Sequence, residues 1–249
     1  AAIGLLDRVG LVLGALPDPV VVDIGAGTGT LANAALRRWP AARVTAVDPA
    51  HRLLEMAEAD ARAAGTLDRL TTLVGQAGQL PLADESADLA VSSFVLQLTP
   101  NRAAAVREAF RVLRPGGAFA HLTWLADDEP WEPDEVFGDA LDALGIQEPT
   151  RDGAGGDLSY PSPRAAAAEL RAAGFRDVGA ETVWLEHRFT PGSYVALAEH
   201  WTEDDVFRGL DDRGRRRLRD EVLRRLARTA PEDLLYRRPL VSAIGTRPG

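Results

Sequence analysis

The run VVVDIGAGTGT, residues 20–30, constrains this chain more than any other stretch. Its first five residues are mostly β-branched and read as a buried strand that Gly25 stops. Gly25, Gly27 and Gly29 then let the backbone turn sharply and come close to a ligand without Cβ clashes. A helix opening at Thr28 or Gly29 and running through Arg38 turns its free N–H groups and partial positive charge toward that ligand. Strand, glycine-rich turn and helix in this order begin an open α/β sheet, whose ligands sit beyond the carboxyl ends of the strands.

The rest of the first half keeps the alternation going. Strands are expected at 43–47, 70–74, 87–92 and 118–124, and helices at 50–64 and 101–113. Gly65 caps the first of these helices, and the breaker run RPGG at 114–117 stops the second. Strands and helices so spaced predict a Rossmann-like, open, mainly parallel sheet with helices on both faces.

The second half is less regular. Residues 127–135 form an acidic, proline-broken loop, 135–144 a helix, and 151–161 a mobile linker around GAGG. Ser162 and Pro163 are an N-cap and first-turn pair for a helix that ends at Gly174. A strand lies within 175–189, helices fill most of 191–228, and a last strand covers 240–245. The chain thus reads as a single domain over 1–249, with 127–161 and 190–237 as helical cap insertions.

Composition limits the function. The net charge of −9 argues against a nucleic-acid partner, because a phosphate backbone needs a basic face. There is no cysteine, so disulfides, thiolate metal sites and cysteine nucleophiles are excluded together. All 28 basic residues are arginine, which excludes a Schiff-base or Walker lysine and suits a GC-rich bacterial genome. The apolar opening is interrupted by Asp7 and Arg8 and is too short to span a bilayer, although a start without Met leaves room for a trimmed leader. A cytoplasmic protein is the expectation, without a membrane partner.

Two acids narrow the ligand. Asp48 ends the second strand, 25 residues after Asp23, where a carboxylate suits a ribose diol. The dinucleotide fingerprint wants Gly or Ala where Thr30 stands, and Asp23 would repel a pyrophosphate but attract an ammonium. The ligand is therefore expected to be zwitterionic and to carry a ribose.

With VDIGAGTG, TAVDP, GQAGQLPLADESADL and RVLRPGG in order, residues 18–125 resemble the class I S-adenosylmethionine-dependent methyltransferases, in particular their broad small-molecule group. The resemblance implies a seven-stranded sheet closed by an antiparallel pair, here 183–189 and 240–245. It implies S-adenosylmethionine as cofactor and S-adenosylhomocysteine as product. Asp23 with Gly25, Ala26, Gly27, Thr28 and Gly29 would hold the methionine part, and Asp48 with Pro49 the ribose. Gln76 and Ala77 would lie along the adenine. Gln76 departs from the family's usual acid, though its amide oxygen accepts the same hydrogen bond. Ser92 and Phe94 would pass near the sulfonium.

The implied reaction is methyl transfer to a small molecule through oxygen, nitrogen or carbon, as in bacterial secondary metabolism. Two alternatives stay open: a methyltransferase-like enzyme that uses the cofactor for another step such as cyclisation, and a cofactor-binding protein without catalysis. No residue is assigned as catalytic. His51, His121, His187 and His200 are each read first as structural, although an acceptor hydroxyl would want such a base. Trp124 is the expected acceptor wall, with His200 and Trp201 as further acceptor contacts. Trp131 and Trp184 are read as core. The arginine-rich run 213–228 carries Leu218, Val222 and Leu226 at helical spacing and reads as a solvated amphipathic helix. No metal site is expected, because prolines splay the acids of 127–135.

Overall fold

The computed structural model describes residues 2–13, 17–149 and 159–249. They form two compact units: one of residues 1–126, 155–184 and 239–249, the other of 127–154 and 185–238. The first unit takes in residues 159–161, expected in an insertion, and the second takes in 185–189.

The first unit opens with helix α1 (Ala2–Leu13) and strand β1 (Val20–Ile24). Then come α2 (Thr30–Arg38), β2 (Arg43–Asp48), α3 (His51–Ala63), β3 (Leu70–Val74), β4 (Ala87–Ser93), α4 (Arg102–Val112) and β5 (Leu113–Trp124). The chain later supplies α6 (Pro163–Ala172), β6 (Arg176–Arg188) and β7 (Leu235–Thr246), the last two beginning or ending in the other unit. The sheet order is β3-β2-β1-β4-β5-β7-β6. β1 to β5 pair in parallel, and β7 runs antiparallel to β5, with His121 opposite Ala243. This is the seven-stranded, mainly parallel sheet that the motif order implies.

Each strand forms for a local reason. β1 is almost wholly buried, which suits its β-branched run. α4 starts where expected because Asn101 accepts a hydrogen bond from Ala104 N–H at 3.1 Å. α6 starts at Pro163 because Ser162 caps Ala165. α2 starts at Thr30 rather than Thr28 or Gly29, since Gly29 holds a left-handed φ of 80°.

Two expectations need correction. β5 begins at Leu113, not Ala118: the RPGG run does not end the pairing but bulges between Leu113, opposite Ala87, and Ala118, opposite Leu89. Gly116 N–H and Gly117 C=O both bond Arg247 across that bulge. Residues 151–158 of the expected linker lie outside the described residues, but its end is not loose. Tyr160 is 1% exposed, and its N–H and C=O bond Trp124 C=O and Ala126 N–H.

Arginines close many chain ends. Arg69 donates to the carbonyls of Leu36, Trp39 and Ala42, and Arg247 to those of Phe110, Arg111 and Leu113. These carbonyls lie at or just beyond the C-terminal ends of α2 and α4.

The second unit holds α5 (Glu132–Leu144), α7 (Pro191–Leu197), a π-helical turn (Ala198–Thr202), α8 (Asp204–Arg208) and α9 (Asp212–Leu226). α5 begins within the stretch expected to be loop, where Glu132, Asp134 and Glu135 suit a helix N-terminus. Its core gathers Trp131, Phe137, Tyr194, Phe207 and the Leu218, Val222, Leu226 stripe of α9. The arginines of α9 sit around that stripe, as an amphipathic helix requires. Trp131 is core and its indole N–H donates to Asp233 C=O, whereas Trp184, in the first unit, is 48% exposed, against the core reading; Trp201 is 78% exposed.

Candidate functional site

The carboxyl ends of β1, β2, β3 and β4 open onto a cavity of about 1070 Å³. Asp23, Gly25, Ala26, Gly27, Thr28, Asp48, Pro49, Gln76, Ala77 and Phe94 all line it. Residues separated by seventy positions in the sequence therefore meet at one edge of the sheet, where parallel strands deliver them.

The turn after β1 is fixed by three glycines with positive φ, each for its own reason. A Cβ on Gly25 would come within 2.3 Å of Val95 Cγ2 from the loop after β4. A Cβ on Gly29 would come within 2.5 Å of Ala57 Cβ on α3. Gly29 is thus a packing position, and it does not line the cavity as expected. At Gly27 a Cβ would meet nothing within 4 Å, so only its φ of 53° restricts the residue.

Asp48 organises the same turn. Its Oδ2 accepts from Gly27 N–H at 2.8 Å and its Oδ1 from Ala50 N–H at 2.8 Å. Asp23 accepts from Ala32 N–H at 2.9 Å, which gives an otherwise orphaned donor of α2 a partner. Burial pushes the Asp23 carboxyl up to about 7, against the hydrogen bond from Ala32 and with help from the nearby Asp48. Asp23 therefore carries a poised proton at neutral pH, sensitive to any charge that enters the cavity.

On the β4 side, Ser93 and not Ser92 lines the cavity. Ser92 is 1% exposed and its hydroxyl donates to Ile24 C=O, tying β4 to β1. The alternation of side chains along a strand makes a one-residue slip a change of face. Phe94 adopts a φ of 57°, a strained conformation for an aromatic residue, held by its N–H bonding Leu122 C=O at 2.8 Å. Trp124 packs on Phe94 with ring centroids 5.1 Å apart and is not among the lining residues. Phe94 lines the cavity, and Trp124, expected there, reaches it only through Phe94.

Among the lining residues outside the expected set are Leu53, Val95, Leu98, Pro100 and Asn101. The signal for four of them was available, since all but Leu53 sit in the connection that leaves β4 at the ligand edge. His51 lies at the start of α3 beside Glu55, and His121 is buried within β5. His187 packs edge-on against Phe189, and His200 lies with Trp201 in the π-helical turn, all four in the second unit. Neither His51 nor His121 lines the cavity. Among the described residues no cluster of histidine and carboxylate side chains could hold a metal ion. No described helix is long and apolar enough to cross a membrane.

A seven-stranded sheet in this order, with a glycine turn after β1 and acids ending the turn-bearing strand and its neighbour, defines the class I S-adenosylmethionine-dependent methyltransferase fold. Residues 22–121 match the family model described as a methyltransferase domain. Malonyl-[acyl-carrier protein] O-methyltransferase of Methylococcus capsulatus is 33% identical over 163 residues, covering 65% of this chain and 54% of that protein. The ubiquinone/menaquinone biosynthesis C-methyltransferase UbiE of Paracoccus denitrificans is 40% identical over 97 residues, covering 39% of each. The chain thus spans about half or less of the length of these two relatives. The crystal structure of the YcgJ protein of Bacillus subtilis matches with a TM-score of 0.62 at 18% identity, over 100% of this chain and 98% of that one, a likeness of fold. S-adenosylmethionine is the cofactor of this family.

Proposed function

We propose that this chain transfers a methyl group from S-adenosylmethionine to a small-molecule acceptor, in the bacterial cytoplasm and in secondary metabolism. The observation that carries the reading is the convergence of Asp23, the glycine turn and Asp48 on one cavity. Its volume of about 1070 Å³ lies at the upper end of the range for small-molecule sites, so a cofactor and an acceptor fit together.

The residues fit the cofactor. Each oxygen of Asp48 accepts one backbone N–H and keeps a further lone pair, one for each hydroxyl of a ribose. Asp23 would face the ammonium group, whose charge draws the carboxyl back toward its ionised form. Gln76 and Ala77, at the end of β3, would flank the adenine, while Phe94 would border the methyl group. When bound, the cofactor supplies a methyl group that leaves sulfur as the acceptor's lone pair bonds to it, the electrons of the broken bond staying on sulfur. The chain's own contribution is to hold the two molecules in line and to exclude water.

Calorimetric titration with S-adenosylhomocysteine, with NAD as the control, tests this reading. We expect saturable binding of the first alone, weakened by Asp48→Asn. Binding of NAD, or an Asp48→Asn variant that binds S-adenosylhomocysteine as well as the parent, would sink it.

A further inference from the structure

The cavity is polarised. Among its described lining residues only Asp23 and Asp48 ionise, and both stand where β1 and β2 end. No described arginine lines it. The loop after β4 presents Phe94, Val95, Leu98 and Pro100 to the same cavity, and α3 adds Leu53. Leu98 is 74% exposed, the most exposed large apolar side chain of its unit.

That exposure is held in place. Leu96, two residues earlier, is 2% exposed, Gln97 hydrogen-bonds the Thr123 hydroxyl of β5, and Leu98 N–H bonds Val95 C=O at 2.8 Å. Leu98 is thus an apolar surface presented on a fixed turn. It suits a ligand that covers it.

We infer that the acceptor is an uncharged molecule with an apolar face, seated on Leu98, and that Leu98 determines specificity for it. This inference rests on the methyl-transfer reading. With the cofactor bound, its ammonium is taken by Asp23 and its sulfonium loses its charge in the reaction, so a carboxylate or phosphate acceptor would lose its water with no cationic side chain of this wall to pair it, which is unfavourable. The neutral molecule loses little on entry and gains the burial of Leu98. The acceptor's lone pair forms the bond to the methyl carbon as the carbon–sulfur bond breaks onto sulfur, and, with neither His51 nor His121 lining the cavity, the proton left on the methylated atom passes to water.

The test is fluorescence titration with Nile red, which is neutral and apolar, and with 8-anilinonaphthalene-1-sulfonate, which is anionic, each with and without saturating S-adenosylhomocysteine. We expect Nile red to bind at least about tenfold more tightly than the sulfonate, and Leu98→Glu to weaken it about tenfold or more, the scale of losing one buried leucine. Leu98→Met should stay within about threefold of the parent, since the apolar surface is kept. Absence of Nile red binding, equal affinity for the two dyes, or a Leu98→Glu variant unchanged toward Nile red overturns the inference. So does methyl gain on malonyl-coenzyme A, seen by mass spectrometry. The titrations without S-adenosylhomocysteine judge Leu98 even if calorimetry refutes the cofactor, so the two failures are distinguishable.

Discussion

His121 should make this protein selectively sensitive to acid. The ring is fully buried in β5, stacked on Tyr160 at 5.6 Å, and neither nitrogen has a hydrogen-bond partner. Burial, with a smaller contribution from the charge of Arg102, lowers its pKa from 6.5 to about 3. A depressed folded pKa leaves stability intact above the unfolded value and removes it as pH falls from 6.5 toward 3. At about pH 5 the unfolded chain is almost fully protonated at this site while the folded ring is neutral, so the linkage relation gives a loss of about 2 kcal/mol relative to about pH 7.5. The measurement is urea unfolding of the parent and of His121→Leu at both pH values. Packing changes in the variant cancel when each protein is compared with itself, and other titrating groups cancel between the two. The parent should lose about 2 kcal/mol more than His121→Leu on acidification. Equal losses in the two proteins would refute a neutral, unpartnered His121.

Two further outcomes follow from the site. Asp23, with its pKa raised to about 7, should make S-adenosylhomocysteine binding weaken by about tenfold between pH 8 and pH 6 as the carboxyl takes up its proton, and calorimetry on Asp23→Asn should give a nearly flat profile. In the free protein the sign is opposite, because a raised carboxyl contributes stability that is lost as pH rises through about 7. Gly25→Ala should destabilise by about 2–4 kcal/mol, from its left-handed φ and from the clash with Val95. Adding Val95→Ala should return about 1–2 kcal/mol of that in a double-mutant cycle measured by urea unfolding; strict additivity would refute the contact.

What could be read in the sequence divides by range. β1, β3, the span of α4, the cap of α6 and the glycine turn were legible because each depends on neighbours a few residues away. The two acids were legible because strand ends in a parallel sheet converge on one edge. Other features depend on partners far along the chain. The bulge in β5 forms because Arg247 completes its bonds, and nothing in RPGG announces that partner. Tyr160 was lost in an apparent linker because its burial comes from His121, Arg102 and Glu169. Ser92 and Ser93 share chemistry and differ only in which face of β4 they occupy, so a one-residue uncertainty exchanged an inner tie for a lining group. Leu98 was passed over because an exposed leucine carries no pattern until the cavity beside it is known.

Val95 filling the space above Gly25 has a consequence for how such a protein can change. The turn after β1 and the loop after β4 are interlocked like two gear teeth, so neither can be redesigned alone. A substitution that runs through Val95 would disturb the packing over the glycine turn. One that runs through Leu98, three residues on, leaves that mesh untouched. Freedom to change is thereby channelled outward along the loop.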